Sequence, residues 1–186
     1  MGFLSFFKSK PTKKVIILGL DAVGKSKLLY RYKEGVSIET FPTNGFNVET
    51  ITYGHTRYEF WDVGGGCMIK RLWCHYTADC FAVFFVVDAA DRERLCCKDK
   101  KCGVLCVYCS WAIVVEDFLK MAAPPYVSIL LNKCDCSNFI DEQELRQCLR
   151  EILLDDIPIF KVSVVTGEGL DEPLQWLEEL TKIKGF

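Results

Sequence analysis

The sequence lacks the features that define several large classes of protein. No run approaches the ~18 apolar residues of a membrane-spanning helix, and the apolar stretch at residues 3–7 is too short for a secretory signal. A net charge of −2 gives no general attraction to nucleic acid. Internal repeats and low-complexity linkers are also absent. We therefore expect one folded domain within the 186 residues, without a nucleic-acid partner.

Short apolar runs recur along the chain, with helical or polar segments between them. The runs occupy residues 15–18, 81–87, 127–131 and 157–165. Their continuous apolar character is typical of strands buried on both faces of a parallel sheet. Segments 46–53 and 57–62, joined around Gly54 and His55, predict an antiparallel hairpin. The pattern favours a three-layer α/β domain with a six-stranded, mostly parallel sheet.

Three further segments have the character of helices. They are residues 25–34, 141–153 and 170–183. Asp141 and Glu144 stand at the spacing of a capping box, which predicts the start of the second helix. The third helix is expected to turn Leu174, Leu177 and Leu180 toward the core.

Residues 19–26 read Gly-Leu-Asp-Ala-Val-Gly-Lys-Ser, the pattern of a phosphate-binding loop. The loop follows a buried strand and opens a helix, so its backbone N–H groups and the helix N-terminus favour phosphate. We expect the side chain of Lys25 to reach the β- and γ-phosphates and the Ser26 hydroxyl to bind Mg²⁺. The nucleotide-binding residues predicted here are Gly19, Asp21, Ala22, Val23, Gly24, Lys25 and Ser26.

Asn132-Lys133-Cys134-Asp135 follows the third apolar run. A carboxylate there accepts two hydrogen bonds from guanine, a pair that adenine cannot donate. Residues 163–170 follow the last run and are either a base-binding loop or a plain strand-to-helix connection. With the preceding motif present, the first interpretation is favoured. The predicted base-binding residues are Asn132, Lys133, Asp135, Ser163 and Val164.

These motifs together resemble the Arf family of small GTPases, and more narrowly the Arf-like proteins. The resemblance also rests on collinear segments at residues 42–49, 61–65, 86–94 and 166–170. Trp61 before Asp62, and Gly-Phe-Asn beginning two residues after Thr43, separate Arf proteins from Ras or Rab relatives. The resemblance implies a Ras-like P-loop GTPase domain over residues 14–186, with 96–125 as a divergent insertion.

The resemblance also implies roles for residues that bind the metal and the γ-phosphate. Thr43 would ligate Mg²⁺ and sense the γ-phosphate. Asp62 would hold Mg²⁺ through water, together with Ser26. The N–H of Gly65 would bond the γ-phosphate of bound GTP.

An aromatic surface is implied as well. Phe46, Trp61 and Tyr76 would contact effector proteins, although without the resemblance they would be interpreted as core residues. Exchange factors and GTPase-activating proteins are further implied partners, and we expect the chain to be a monomer.

Gly66 is the clearest departure from the family. Most Arf proteins have glutamine after Asp-Val-Gly-Gly, and that side chain orients the attacking water. Neither Gly66 nor the following Cys67 and Met68 can do so, and we identify no catalytic residue in the chain. We predict that nucleotide binding survives while intrinsic hydrolysis slows by orders of magnitude. The alternative is a non-hydrolysing GTP-binding scaffold.

Two further departures affect partners. Asn44 replaces a usual aliphatic residue, which either changes partner identity or is harmless. Residues 96–111 are rich in cysteine, and Cys102, Cys106 and Cys109 would share one helix face. This segment is a zinc site without nearby histidine, a site of reversible lipidation, or an apolar packing segment.

The first residues predict contact with a membrane. Gly2 would be available for N-myristoylation, although Phe6 stands where serine or threonine is usual. The apolar residues that follow precede four lysines, Lys8, Lys10, Lys13 and Lys14. We expect residues 1–13 to bind an anionic lipid surface, or to pack unmodified in a groove of the domain. The predicted location is cytoplasmic, peripherally attached to Golgi, endosomal or other endomembranes.

Overall fold

The computed structural model describes residues 12–95, 106–154 and 156–183. Within these ranges the strands are β1 (Thr12–Gly19), β2 (Phe46–Tyr53), β3 (Thr56–Val63), β4 (Ala82–Asp88), β5 (Tyr126–Asn132) and β6 (Ile159–Val162). The helices are α1 (Lys25–Glu34), α2 (Cys67–Lys70), α3 (Trp73–Thr77), α4 (Val107–Leu119), α5 (Glu142–Leu149) and α6 (Asp171–Ile183).

The six strands form one sheet in the order β2-β3-β1-β4-β5-β6. All neighbouring pairs are parallel except β2 and β3, which form the antiparallel hairpin. The predicted α/β fold, with helices flanking a mostly parallel six-stranded sheet, is confirmed.

The central strands explain the continuous apolar runs. Every residue of β4 is buried, and the side chains of residues 15–18 in β1 are fully inaccessible. Because these strands run parallel, their carboxyl ends meet at one edge of the sheet. That edge brings Gly19 next to β4, and pairs Asp88 with Asn132. Ligands of open α/β sheets bind at such an edge.

The helix signals are largely confirmed. The first helix has the predicted bounds. Asp141 caps α5 in a complete capping box, its carboxylate accepting the Glu144 N–H at 2.8 Å and the Glu144 side chain accepting the Asp141 N–H at 3.2 Å. That helix ends at Leu149, earlier than predicted, because the chain turns there.

The last strand is also shorter than its apolar run. It ends at Val162, because the next residue begins a turn in which the Ser163 N–H donates to the Glu168 carbonyl at 2.9 Å. The chain from Ser163 onward therefore belongs to a loop at the edge of the sheet.

One prediction for α6 is wrong. Leu174 and Leu177 are buried, but Leu180 is only partly so. Glu178 and Thr181 are buried instead, each 8 % exposed. This face of α6 meets the tip of the hairpin, whose polar groups require hydrogen-bond partners.

Glu178 supplies an acceptor to that tip. Its carboxylate accepts the Tyr58 hydroxyl at 3.2 Å and the His55 N–H at 3.3 Å. Burial raises the pKa of Glu178, but donors from His55, Thr56 and Tyr58 outweigh burial and bring it below the usual value. The C-terminal helix thus anchors the end of the hairpin that lies opposite the nucleotide motifs.

The described part of the cysteine-rich segment packs on the sheet. Trp111 of α4 is fully buried against Phe85 in an edge-to-face contact. Cys106 is buried at the start of α4, where its sulfur accepts the Cys109 N–H at 3.4 Å. Cys102 lies outside the described residues, so the predicted three-cysteine face is not tested. Among the described residues no group of three or more histidine, cysteine, aspartate or glutamate side chains is arranged to hold a metal.

Candidate nucleotide-binding site

A cleft of about 420 Å³ lies at the carboxyl edge of the sheet, between the phosphate-binding loop and the segment before β2. Seven of the predicted site residues line it: Asp21, Ala22, Gly24, Lys25, Ser26, Thr43 and Gly65. Val23 is buried behind this surface, and Gly19 lies against the Val86 carbonyl of β4. The structure therefore brings together residues that are up to 44 positions apart in the sequence, Asp21 and Gly65.

Gly65 approaches the phosphate-binding loop closely. A Cβ atom on this residue would lie 2.3 Å from the carbonyl carbon of Leu20 and 2.4 Å from the Asp21 nitrogen. No side chain can be accommodated there, so the position requires glycine. The end of β3 is thus held directly against the loop that would carry the phosphates.

Lys25 is the cation of the cleft. Its side chain is only 6 % exposed, and its ammonium donates a 2.7 Å hydrogen bond to the Leu20 carbonyl. Burial lowers the pKa of Lys25 to about 8, while the carboxylates of Asp62 and Asp21 partly oppose this. A buried ammonium of this kind is stabilised by an anion, as a bound phosphate would supply.

The oxygen atoms predicted to hold Mg²⁺ form one cluster beside Lys25. The Ser26 hydroxyl donates to Asp62 Oδ2 at 2.6 Å, and the Thr43 hydroxyl lies 3.2 Å from that oxygen and 2.9 Å from Ser26 Oγ. Asp62 is fully buried, and its Oδ1 has no hydrogen-bond partner among the described residues. Hydroxyl and carboxylate oxygens are ligands suited to Mg²⁺, so the donor set fits the predicted metal.

Asn132 connects the two halves of the predicted site. Its side chain is fully buried, donates to the Val23 carbonyl at 2.7 Å and accepts the Val164 N–H at 3.2 Å. It therefore fixes the phosphate-binding loop relative to the loop after β6. Lys133 extends toward the phosphate-binding loop. Its ammonium pairs with Asp88 at the end of β4 and donates to the Ala22 carbonyl at 3.2 Å.

The remaining base-binding candidates differ in exposure. Asp135 is exposed, as a carboxylate that meets a ligand must be. Ser163 and Val164 are buried, and their N–H groups already donate to the Glu168 carbonyl and to Asn132. Both residues shape the loop, and their contact with a base stays a prediction.

Comparison with known proteins agrees with this geometry. A model of the ADP-ribosylation factor family matches residues 2–181. The chain belongs to the ADP-ribosylation factor family. It is therefore a small GTPase of the nucleotide-binding switch class.

Individual relatives are similar over nearly their full lengths. ADP-ribosylation factor-like protein 1 of Caenorhabditis elegans is 35% identical over 181 residues, which cover 95% of this chain and 94% of the relative. ADP-ribosylation factor 3 of Arabidopsis thaliana is 36% identical over 182 residues, 97% of this chain and 93% of the relative. A solved structure of the Arl6 BBS3 small GTPase of Trypanosoma brucei, with the bound nucleotide analogue GppNp, superposes with a TM-score of 0.72. That match is 28% identical and covers 92% of this chain and 99% of the other.

The aromatic residues singled out by the ADP-ribosylation factor resemblance form one cluster. The rings of Phe46 and Trp61 stack with centroids 4.9 Å apart, and Tyr76 lies 5.6 Å from Phe46. Phe46 is 47% exposed, while Trp61 and Tyr76 are partly buried. Phe46 is therefore not a core residue, whereas Trp61 and Tyr76 are partly buried and pack against the core.

Lys14 is part of this cluster, which the sequence interpretation missed. Its ammonium lies 4.9 Å from the centre of the Trp61 ring and donates to the Tyr76 carbonyl at 2.8 Å. Lys13 similarly lies over the ring of Phe81 at 5.2 Å. Both lysines are in β1 and engaged with aromatic rings of the domain. Lys8, Lys10 and the predicted acylation site Gly2 lie outside the described residues.

Gly66 is exposed at the mouth of the cleft. Its backbone has φ −69° and ψ 154°, which any residue adopts, and within the described part of the chain no atom beyond its two neighbours lies within 4 Å of the position a Cβ would take. The neighbouring Cys67 and Met68 are exposed as well. Space for a water-orienting side chain therefore exists, but Gly66 supplies none.

Arg94 is a second residue that the sequence interpretation did not assign to the site. Its guanidinium pairs with Asp91 and contacts both the carbonyl and the carboxylate of Asp21, at 3.2 and 3.1 Å. Arg94 thereby ties the loop after β4 to the phosphate-binding loop. Arg94 lies in the segment 86–94 that supports the family resemblance, but nothing in the sequence indicated which loop it would contact.

Proposed function

We propose that this chain is a Mg²⁺-dependent GTP/GDP switch with weak intrinsic hydrolysis, acting in membrane traffic or organelle organisation. The observation that carries the proposal is the pairing of a complete phosphate cleft with an open, side-chain-free position at Gly66. The cleft supports binding of the nucleotide. The absent side chain supports slow conversion of GTP to GDP.

Each part of the cleft has a distinct chemical task in this proposal. The phosphate-binding loop and Lys25 would hold the phosphates, and Asp135 would select guanine. The hydroxyls of Ser26 and Thr43, with Asp62 through water, would hold Mg²⁺. When bound, the metal supplies positive charge that neutralises the phosphate oxygens.

Weak hydrolysis follows from what surrounds the γ-phosphate position. The Gly65 N–H would bond that phosphate, but the adjacent Gly66 has no side-chain amide to orient the attacking water. Positioning of this kind accounts for orders of magnitude in rate. A GTPase-activating protein would then have to complete the site.

The same observation favours a second candidate, a non-hydrolysing GTP-binding scaffold. In that case the chain would stay in its triphosphate-bound form, and its abundance or location would be regulated. The two candidates differ only in whether GTP is turned over.

Partners follow from the surfaces of the domain. An exchange factor and a GTPase-activating protein would act at the nucleotide cleft, and effectors would bind the Phe46, Trp61 and Tyr76 cluster. We propose that residues before β1 attach a monomeric protein peripherally to endomembranes. Because Lys13 and Lys14 are engaged within the domain, the basic charge for lipid would come from Lys8 and Lys10. Among the described residues, every helix is too short or too polar to span a membrane.

A single-turnover hydrolysis assay tests the proposal. Protein loaded with GTP is mixed with Mg²⁺, and GDP is followed by chromatography for the wild type, Gly66→Gln and Gly66→Ala. We expect slow hydrolysis in the wild type and a gain of about 100-fold in Gly66→Gln. The alanine variant places a methyl group in the same open space but has no side-chain amide, so its rate of GTP hydrolysis should match that of the wild type.

The possible results separate the candidates. A wild type that hydrolyses GTP as fast as Gly66→Gln contradicts the proposed slow switch. A wild type without measurable hydrolysis, unchanged by Gly66→Gln, identifies the scaffold instead.

A further inference from the structure

Asn47 lies next to the residues predicted to hold Mg²⁺, but none of the motifs includes it as a ligand. In the hairpin register, Asn47 of β2 pairs directly with Asp62 of β3. Its side-chain nitrogen lies 3.2 Å from Asp62 Oδ2 and 3.5 Å from the Thr43 hydroxyl. A carboxylate only accepts hydrogen bonds, so the amide must present its NH2 group to Asp62.

The donors to Asp62 are not equivalent. Its Oδ2 accepts from Ser26, Thr43 and Asn47, while Oδ1 has no partner among the described residues. Ser26 and Thr43 carry hydroxyl oxygens that suit a metal. The NH2 group of Asn47 cannot ligate a cation, so this donor is free to stay on the carboxylate when the hydroxyls turn to the metal.

We propose that Asn47 is a positioning residue that orients the Asp62 carboxylate and thereby sets the affinity for Mg²⁺. This inference rests on the proposed function of the cleft. Asn47 donates to Oδ2, the oxygen that also meets the Ser26 and Thr43 hydroxyls, so it holds the buried carboxylate beside the predicted metal ligands. Groups that hydrogen-bond to metal-binding carboxylates commonly contribute 10- to 100-fold to metal affinity.

The contact between Asn47 and Asp62 depends on the register in which β2 and β3 pair. Cross-strand neighbours on one face lie within about 5.5 Å, close enough for the short side chains of Asn47 and Asp62 to meet. A shift of one residue between β2 and β3 would turn Asn47 to the opposite face. The metal carboxylate is therefore oriented only when the hairpin holds the observed register.

The test measures release of a fluorescent GDP analogue from the full chain while free Mg²⁺ is varied with EDTA. The variants are Asn47→Leu, which is similar in size but lacks the donor, and Asn47→Ala, which adds no bulk. Glu49→Gln is the matched control, because Glu49 follows on the same face of β2 and only pairs with Lys33 at the surface. Thermal unfolding of each variant verifies that it is folded.

We expect the Mg²⁺ concentration that half-maximally slows release to rise about tenfold in both Asn47 variants. It should not change in Glu49→Gln, and all four proteins should release the analogue equally fast in excess EDTA. An unshifted Mg²⁺ midpoint overturns the inference. So does release that is faster by the same factor at every Mg²⁺ concentration, because that indicates general damage to the cleft. A wild type that binds no GDP analogue contradicts the proposed function, and this inference with it.

Discussion

Replacing Lys25 by methionine should stabilise the nucleotide-free protein while abolishing nucleotide binding. Lys25 is 6 % exposed, and burial lowers the pKa of its ammonium from 10.5 to about 8. Since one pKa unit corresponds to about 1.4 kcal/mol, keeping this group charged costs the folded protein about 3 kcal/mol. Methionine has a similar length and no charge, but it loses the hydrogen bond to Leu20, worth about 1 kcal/mol.

The net gain is about 2 kcal/mol, which for a chain of this size raises the melting temperature by about 4–8 °C. The size of this gain depends on pH. Below about pH 8 both folded and unfolded states carry the charge, so the burial cost is fully present. Between about 8 and 10.5 the folded protein releases the proton first, so the wild type should approach the variant in stability as the pH rises.

Differential scanning calorimetry measures both effects, without nucleotide and with excess GDP and Mg²⁺. Bound GDP should raise the melting temperature of the wild type by mass action and leave Lys25→Met unchanged. Lys27→Met is the control, because this partly exposed lysine of the same helix should change stability by no more than about 0.5 kcal/mol. Two results would contradict this prediction. One is a Lys25→Met variant that melts below the nucleotide-free wild type, and the other is a variant whose melting temperature GDP raises as much as that of the wild type.

Two further predictions concern buried polar side chains. Asn132→Ala leaves the Val23 carbonyl and the Val164 N–H unpaired. The free energy of unfolding in urea should therefore fall by about 2–4 kcal/mol, and GDP should bind more weakly. An unchanged affinity for GDP would contradict the role of Asn132 in holding the two loops together. Glu178→Gln should lower the free energy of unfolding by about 1–3 kcal/mol at neutral pH. The folded pKa of Glu178 lies below its usual value of 4.5. The carboxylate's contribution to stability is therefore fully present above that usual value and is lost as the pH falls through the folded pKa. The difference in free energy of unfolding between Glu178→Gln and the wild type should therefore narrow in acid. A difference that does not change with pH would contradict this prediction.

The parts of the fold that the sequence predicts are those with a strong local signal. Apolar runs located the buried strands, and Asp141 with Glu144 marked the start of α5. The turn at Gly54 and His55 defined the hairpin. These signals depend on a few neighbouring residues, which is why they are readable without the fold.

Features that arise from packing between distant segments were not predictable. Glu178 occupies a core-facing position of α6 because the hairpin brings it donors from His55 and Tyr58, which lie 123 and 120 residues earlier. Lys14 was interpreted as part of a basic tail, yet its ammonium lies over the Trp61 ring and donates to the Tyr76 carbonyl. The metal role proposed for Asn47 depends on the register between β2 and β3, which the sequence does not reveal.

Within the site, the motifs identified the cleft residues but not which of them face the ligand and which hold the loops in place. Asn132 was predicted to bind the base, and the structure shows it bracing two loops from a buried position. Its spacing to Lys133 and Asp135 indicates the motif but not which side chains face the ligand. Burial and hydrogen-bond partners make that distinction.

The most direct test of guanine-nucleotide binding is to identify the nucleotide that remains with the purified chain. The protein is purified in Mg²⁺, denatured, and the released ligand is separated by ion-pair chromatography and quantified against the protein. We expect one guanine nucleotide for each chain, and little or none for Lys25→Met. An adenine nucleotide, or a wild type that retains none and binds neither added GDP nor GTP, would contradict this expectation.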